Sequence, residues 1–186
     1  NASIHDLRER IGYVPQKAVI FSGSVIDNVA YGESKEEKSD TLIKEAIEVA
    51  QAKEFVEKMD KGYKTNLAGR GTNISGGQKQ RLAIARAILY DGDIYIFDEA
   101  TSNVDVDSEE NIINIIKEIS KTKTVILISH RLYNCRFSDI IYFLKDGTIK
   151  EKGSHEELIK LNGEYANIYN EQIKLESITK GATENA

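Results

Sequence analysis
The stretch that most constrains this chain runs from Asn73 to Asp105, NISGGQKQRLAIARAILYDGDIYIFDEATSNVD. It reads as a glycine turn that opens a helix, then a strand, then two adjacent acids, then a tight loop. A turn carrying Ser75, Gly76 and Gly77 leaves unpaired N–H groups at the start of a helix that continues through Gln80 to Leu89. Those groups and the helix dipole, roughly half a positive charge at that end, suit an anionic phosphate. Ile94 to Phe97 are apolar without alternation, the pattern of a central parallel strand covered on both faces. Asp98 and Glu99 follow at its carboxyl end, where open α/β sheets place their ligands. One such acid can hold a magnesium ion through its water shell, and the next can orient an attacking water. That order of parts is a way of handling a triphosphate.

These residues carry a family resemblance. NISGGQ resembles the signature motif of ATP-binding-cassette (ABC) ATPases, and IYIFDEATS resembles their Walker B strand with its catalytic glutamate. SNVD, Ser102 to Asp105, is similar to the D-loop. The resemblance covers about Ser3 to Glu171. It implies an α/β fold of the P-loop NTPase (RecA-like) type, with a mostly parallel sheet and an inserted α-helical subdomain. It further implies that Ser75, Gly76, Gly77 and Gln78 meet ATP bound to a second, head-to-tail nucleotide-binding domain. Asp98 would hold Mg2+ through water, Glu99 would act as base or water-orienting residue, and Asp105 would couple the two sites.

Upstream, Ile11 to Val14 form a short apolar strand, and Pro15 prevents the ladder from continuing. Gln16 follows at the strand end, where the family has its Q-loop residue, implied to touch ATP, magnesium and water. With IFSGSVIDNV after it, this segment resembles the exporter class, in which it contacts the transmembrane domain. Glu36 to Ala50 carries a helical apolar stripe with a charged outer face, and Phe55, Val56 and Met59 close a second short helix. The chain departs from the exporter pattern at Gly69, where a glutamate is common. The interval from Gln16 to Ser75 is too short for the long coiled coil of chromosome-maintenance relatives.

After the D-loop, Ile112, Ile113, Ile115, Ile116 and Ile119 give an apolar helix, and Thr124 to Ile128 a second continuous apolar strand. His130 just beyond it resembles the H-loop residue, implied to stabilise the transferring phosphoryl group. His5 and His155 have no such context and read as surface residues. Ile140 to Leu144, Asp146-Gly147 and Thr148 to Lys150 read as a hairpin on a DG turn. Ser154 and Glu157 are spaced as a capping box, and an amphipathic helix is expected from about Glu164 to Leu175. The first residues show no cap or strand pattern. The expected divisions are 1–22 with the Q-loop, 23–90 as the helical subdomain, 91–177 as the catalytic core with its C-terminal helices, and 178–186 as a disordered tail.

Composition narrows the reading. Across 186 residues, 30% are charged and 40% hydrophobic, which allows one good-sized globular domain with a real core. A net charge of −5 gives no basic surface to recommend nucleic acid as a partner. Cys135 is the only cysteine, so no internal disulfide exists, and it reads as a small buried residue. No apolar run is long enough to span a bilayer. The resemblance therefore implies an ATPase domain at the cytoplasmic face of a membrane, attached through a transmembrane domain. No glycine is followed by lysine, so the P-loop pattern Gly-x-x-x-x-Gly-Lys-Ser/Thr is absent. The expectation is a C-terminal fragment of a nucleotide-binding domain, inactive alone. The alternatives are an importer subunit, a soluble ABC ATPase acting on nucleic acid or ribosomes, and a regulatory module that never hydrolyses ATP.

Overall fold
A computed structural model describes residues 3–32, 38–102 and 104–183, with side chains through 175. The expected helix start at Glu36, Asn103 of the D-loop and tail residues 184–186 lie outside the described residues. The chain forms two compact bodies, Asn1–Ile128 and Ser129–Ala186.

In the first body the order is α1 (Ile4–Arg8), β1 (Ile11–Val14), β2 (Gly23–Ser24), α2 (Val25–Val29), α3 (Asp40–Val49) and α4 (Lys53–Glu57). Then come β3 (Asn66–Leu67), α5 (Gly76–Tyr90), β4 (Ile94–Asp98), α6 (Val106–Ser120) and β5 (Thr124–Ile128). Strands β1, β4 and β5 make a parallel sheet in the order β1-β4-β5, with Val14 opposite Phe97 and Phe97 opposite Leu127. The β1–β4 register ends with Val14 and Phe97 at the carboxyl edge, one residue before Pro15 and Asp98. At the other edge the Arg10 carbonyl accepts from the N–H groups of both Asp93 and Ile94, at 2.9 and 3.1 Å. Gly92 permits that approach, because a Cβ there would lie 2.7 Å from the Arg10 oxygen.

Serine caps start most helices. Ser24 with Asp27 and Ser75 with Gln78 form reciprocal capping boxes for α2 and α5, and Ser39 caps α3. Ser3 with Asp6 does the same for α1, so the N-terminal residues, read as patternless, carry a cap after all. The core joins Val14, Phe97, Leu82 and Ile84 to Ile112, Ile115 and Ile116, all buried. Helices α5 and α6 cover one face of the sheet only. Tyr95 and Phe97 are buried, whereas Tyr13 and Ile126, which flank Ile96 in register, are 53% and 48% exposed. The expectation of a central strand covered on both faces is therefore corrected: within this body no described element lies over the second face.

In the second body, β6 (Ile141–Lys145) and β7 (Thr148–Gly153) pair antiparallel, followed by α7 (His155–Leu161) and α8 (Glu164–Thr183). Asp146 and Gly147 both take positive φ, 52° and 70°, as a two-residue hairpin turn requires. The expected Ser154–Glu157 capping box starts α7. Leu158, Tyr165 and Ala166 form the core, with Phe143 edge-on to Tyr165. Helix α8 runs on to Thr183, so residues 178–183 are helical where a tail was expected.

Candidate functional site
The glycine turn is built by Ser75. Its extended backbone ends the preceding loop, its Oγ accepts from the Gln78 N–H at 3.2 Å, and Gln78 Oε1 accepts from the Ser75 N–H at 2.9 Å. Gln78 is thereby occupied as a cap. Ser75 and Gly76 are exposed, and the N–H groups of Gly76 and Gly77 precede the first helical hydrogen bond, from Lys79 to the Ser75 carbonyl. Gly77 itself is buried against α6: a Cβ there would lie 2.6 Å from the Ser108 Cβ and closer still to its Oγ. Ser108 in turn donates to both oxygens of Asp105, from its N–H at 2.9 Å and its hydroxyl at 2.8 Å. Asp105 is the N-cap of α6. The Ser108 N–H first, and then its hydroxyl, hold the Asp105 carboxyl below the usual range.

At the carboxyl edge of the sheet two hydrogen bonds join neighbouring strand ends. Gln16 Nε2 donates to Glu99 Oε2 at 2.5 Å, and the Tyr13 hydroxyl donates to Asp98 Oδ2 at 2.8 Å. That bond to a carboxylate pushes the Tyr13 phenol up. Glu99 leaves the strand with φ at 46°, a left-handed conformation that costs a non-glycine residue roughly 1–2 kcal/mol. It is held there by its N–H on the Ile128 carbonyl, 2.9 Å, and its carbonyl under the Ser102 N–H, 3.0 Å. Strain kept in place this way is a feature of working sites.

Sequence reasoning missed two participants here. Tyr13 precedes Val14 on the uncovered face, and only strand register puts its hydroxyl beside Asp98. Gln80 is 3% exposed and donates from Nε2 to the Pro15 carbonyl at 2.9 Å, tying α5 to the residue before Gln16. A cleft of about 280 Å³ lies among these elements, lined by Gln16, Gly76, Lys79, Gln80, Ala100 and Val104. The first body thus brings together Gln16, Asp98 and Glu99, and places Gly76 in one cleft with Gln16.

His130 belongs to the second body, where it is exposed. Gln172 of α8 fixes the backbone around it, donating to the His130 carbonyl at 2.7 Å and accepting from the Leu132 N–H at 2.9 Å. Spacing in the sequence gives no signal for that anchor. His155, expected at the surface, is instead half-buried, with Nδ1 2.9 Å from the Tyr165 hydroxyl and its ring against Tyr169. Cys135 is buried and its thiol is pushed up to about 11 by that burial, which removes it as a nucleophile.

Chemically, the strand ends offer hard oxygen donors. Asp98 has two carboxylate oxygens and Gln16 keeps its Oε1 while Nε2 binds Glu99, a donor set that fits a small hard dication such as Mg2+. The ABC transporter family profile matches residues 1–102. A lactococcin transport/processing ATP-binding protein LcnC-like from Lactococcus lactis is 42% identical over 165 residues, 89% of this chain and 23% of that protein. An ATP-dependent lipid A-core flippase from Vibrio parahaemolyticus is 42% identical over 171 residues, 91% of this chain and 29% of that protein. The chain thus spans less than a third of the length of these relatives. Among solved structures, a bacterial Atm1-family ABC exporter with ATP bound superposes with a TM-score of 0.84 at 36% identity, over 91% of this chain and 30% of that one. The match across more than half the residues, with the glycine turn and the Gln16–Glu99 pair inside it, means that this chain belongs to the ABC transporter family.

Proposed function
We propose that the full-length protein is an ABC exporter in which this chain forms most of an ATP-hydrolysing domain. The observation that carries the reading is the Gln16–Glu99 hydrogen bond at the end of β4, next to the Tyr13-held Asp98. Two carboxylates and an amide meet there at the edge of a parallel sheet, where α/β folds bind their ligands. The 36% identity to an exporter solved with ATP bound supports the same reading.

On this reading Asp98 and Gln16 would hold Mg2+ largely through water, and the metal would supply charge neutralisation at the triphosphate. Glu99 accepts a hydrogen bond from the attacking water and orients it, or takes its proton. Gln16 keeps the Glu99 carboxylate aimed. His130 donates to the γ-phosphate. Ser75, Gly76, Gly77 and Gln78 present the helix N-terminus to ATP on a second nucleotide-binding domain in a head-to-tail pair, and Asp105 joins the two sites. Positioning and charge stabilisation supply the rate. Closure driven by ATP moves a transmembrane domain, which places this domain at the cytoplasmic face of a membrane. Nucleic acid is not a partner on this reading.

The test is Glu99→Gln in the full-length protein. ATP binding is retained and steady-state phosphate release falls to background. Continued hydrolysis by that variant would falsify the assignment of Glu99.

A further inference from the structure
Helix α5 grips the loop after β1 at two points. The β1–β4 ladder ends at Val14 opposite Phe97, and Pro15 has no N–H with which to extend it. Beyond that point Gln80 Nε2 donates to the Pro15 carbonyl at 2.9 Å, and Arg86 Nη2 donates to the Val19 carbonyl at 3.1 Å. Arg86 also donates from Nε to the Asn28 carbonyl at 2.8 Å, and its guanidinium lies over the stacked rings of Phe21 and Tyr31. The two donors sit on the same helix and straddle Gln16, which lies between their two acceptors in the chain. A buried amide at the first point and a partly buried, aromatic-backed cation at the second are costly to leave unpaired, so the grip is firm.

Resting on the ATPase reading above, we infer that Gln80 and Arg86 are positioning residues that make the Gln16 loop and the signature turn at Ser75 one mechanical piece. Gln80 lies one and a half turns from Ser75 on α5. A shift of Gln16 toward or away from Glu99 drags the Pro15 carbonyl, hence Gln80, hence the helix N-terminus that faces the second nucleotide. Both side chains spend their donors on backbone carbonyls, Gln80 on Pro15 and Arg86 on Val19 and Asn28. Their effect therefore belongs to the turnover step and not to nucleotide capture.

The test uses the full-length protein in Mg-ATP titrations. Gln80→Met has similar length and no donor, so kcat is expected to fall about tenfold, the scale of one buried hydrogen bond, while KM for ATP moves by less than about twofold. Arg86→Lys, which keeps a donor for Val19, is expected to retain most of the turnover that Arg86→Met loses. Unchanged kcat in Gln80→Met, or a loss confined to KM, overturns the inference. Where Gln80→Met melts too low to assay, the Arg86 pair decides: equal kcat in the Lys and Met variants overturns it. A wild-type protein with no Mg-ATPase activity fails differently, removing the ATPase reading and this inference together.

Discussion
Gly77 shows how packing alone can demand a glycine. A glycine in a phosphate-facing turn is ordinarily explained by ligand approach, but here the α-carbon also lies against Ser108, leaving no room for a Cβ. Gly77→Ala is therefore expected to destabilise the chain by about 1–3 kcal/mol through overpacking alone, read as a lower midpoint in urea. Adding Ser108→Gly should recover part of that loss, and strict additivity of the two changes would show that the contact is not the cause. The same serine holds Asp105, whose folded carboxyl is depressed chiefly by the Ser108 N–H. A depressed acid contributes stability above its unfolded value, roughly 3.9, and loses it as pH falls through the lower folded value. Asp105→Ala should cost about 0.5–2 kcal/mol at neutral pH, as a lost cap does, and flatten the acid limb of the stability profile. An acid limb identical to wild type would count against the cap. The glycine stands out in the sequence as part of the Ser75–Gly77 turn and the acid as the end of the tight loop after β4. Their contact through Ser108 does not, because it depends on how two helices meet.

At the scale of elements, legibility followed local chemistry. Helix α5 announces itself through the Ser75-Gly76-Gly77 turn, β4 and β5 through apolar runs, and the hairpin through Asp146-Gly147, because each signal lies within a few residues of what it specifies. Helix α1 went unseen for want of any apolar periodicity, with its Ser3–Asp6 box as the sole sign. Apolar runs also overstate burial, since they report a strand's surroundings in an assembled sheet and not which face a given body covers. The loop holding His130 depends on a side chain from α8, a tertiary fact with no sequence period. Gln172→Ala removes both of its backbone bonds, and each ordinarily contributes about 1 kcal/mol. Hydrogen exchange should accelerate at the Leu132 amide, while the amides of the β6–β7 hairpin keep their protection. Unaltered exchange at Leu132 would mean that Gln172 does not hold the loop.

For the molecule as a whole, the decisive contrast is between a sheet edge that gathers two carboxylates and an amide and a sequence without a phosphate cradle. Gln16, Asp98 and Glu99 meet at one sheet edge, but none of the 186 residues forms a Gly-x-x-x-x-Gly-Lys-Ser/Thr loop. Backbone amides of such a loop and its lysine supply the main grip on β- and γ-phosphates, and a single helix N-terminus contributes far less. The sheet face left open within the first body adds a second consequence. Tyr13, Ile126 and Ile128 lie on it, all about half exposed, and an apolar strip across a parallel sheet is a surface that proteins ordinarily cover. The 186-residue chain expressed by itself should therefore show no saturable Mg-ATP heat below about millimolar concentration, where a bound state would contribute only ~4 kcal/mol. It should also self-associate with increasing concentration, and Ile126→Thr with Ile128→Thr should reduce that association. Light scattering from a monomer at every concentration would refute the second expectation, and a micromolar calorimetric isotherm the first. That isotherm would also show that the signature turn and the two carboxylates hold a nucleotide unaided.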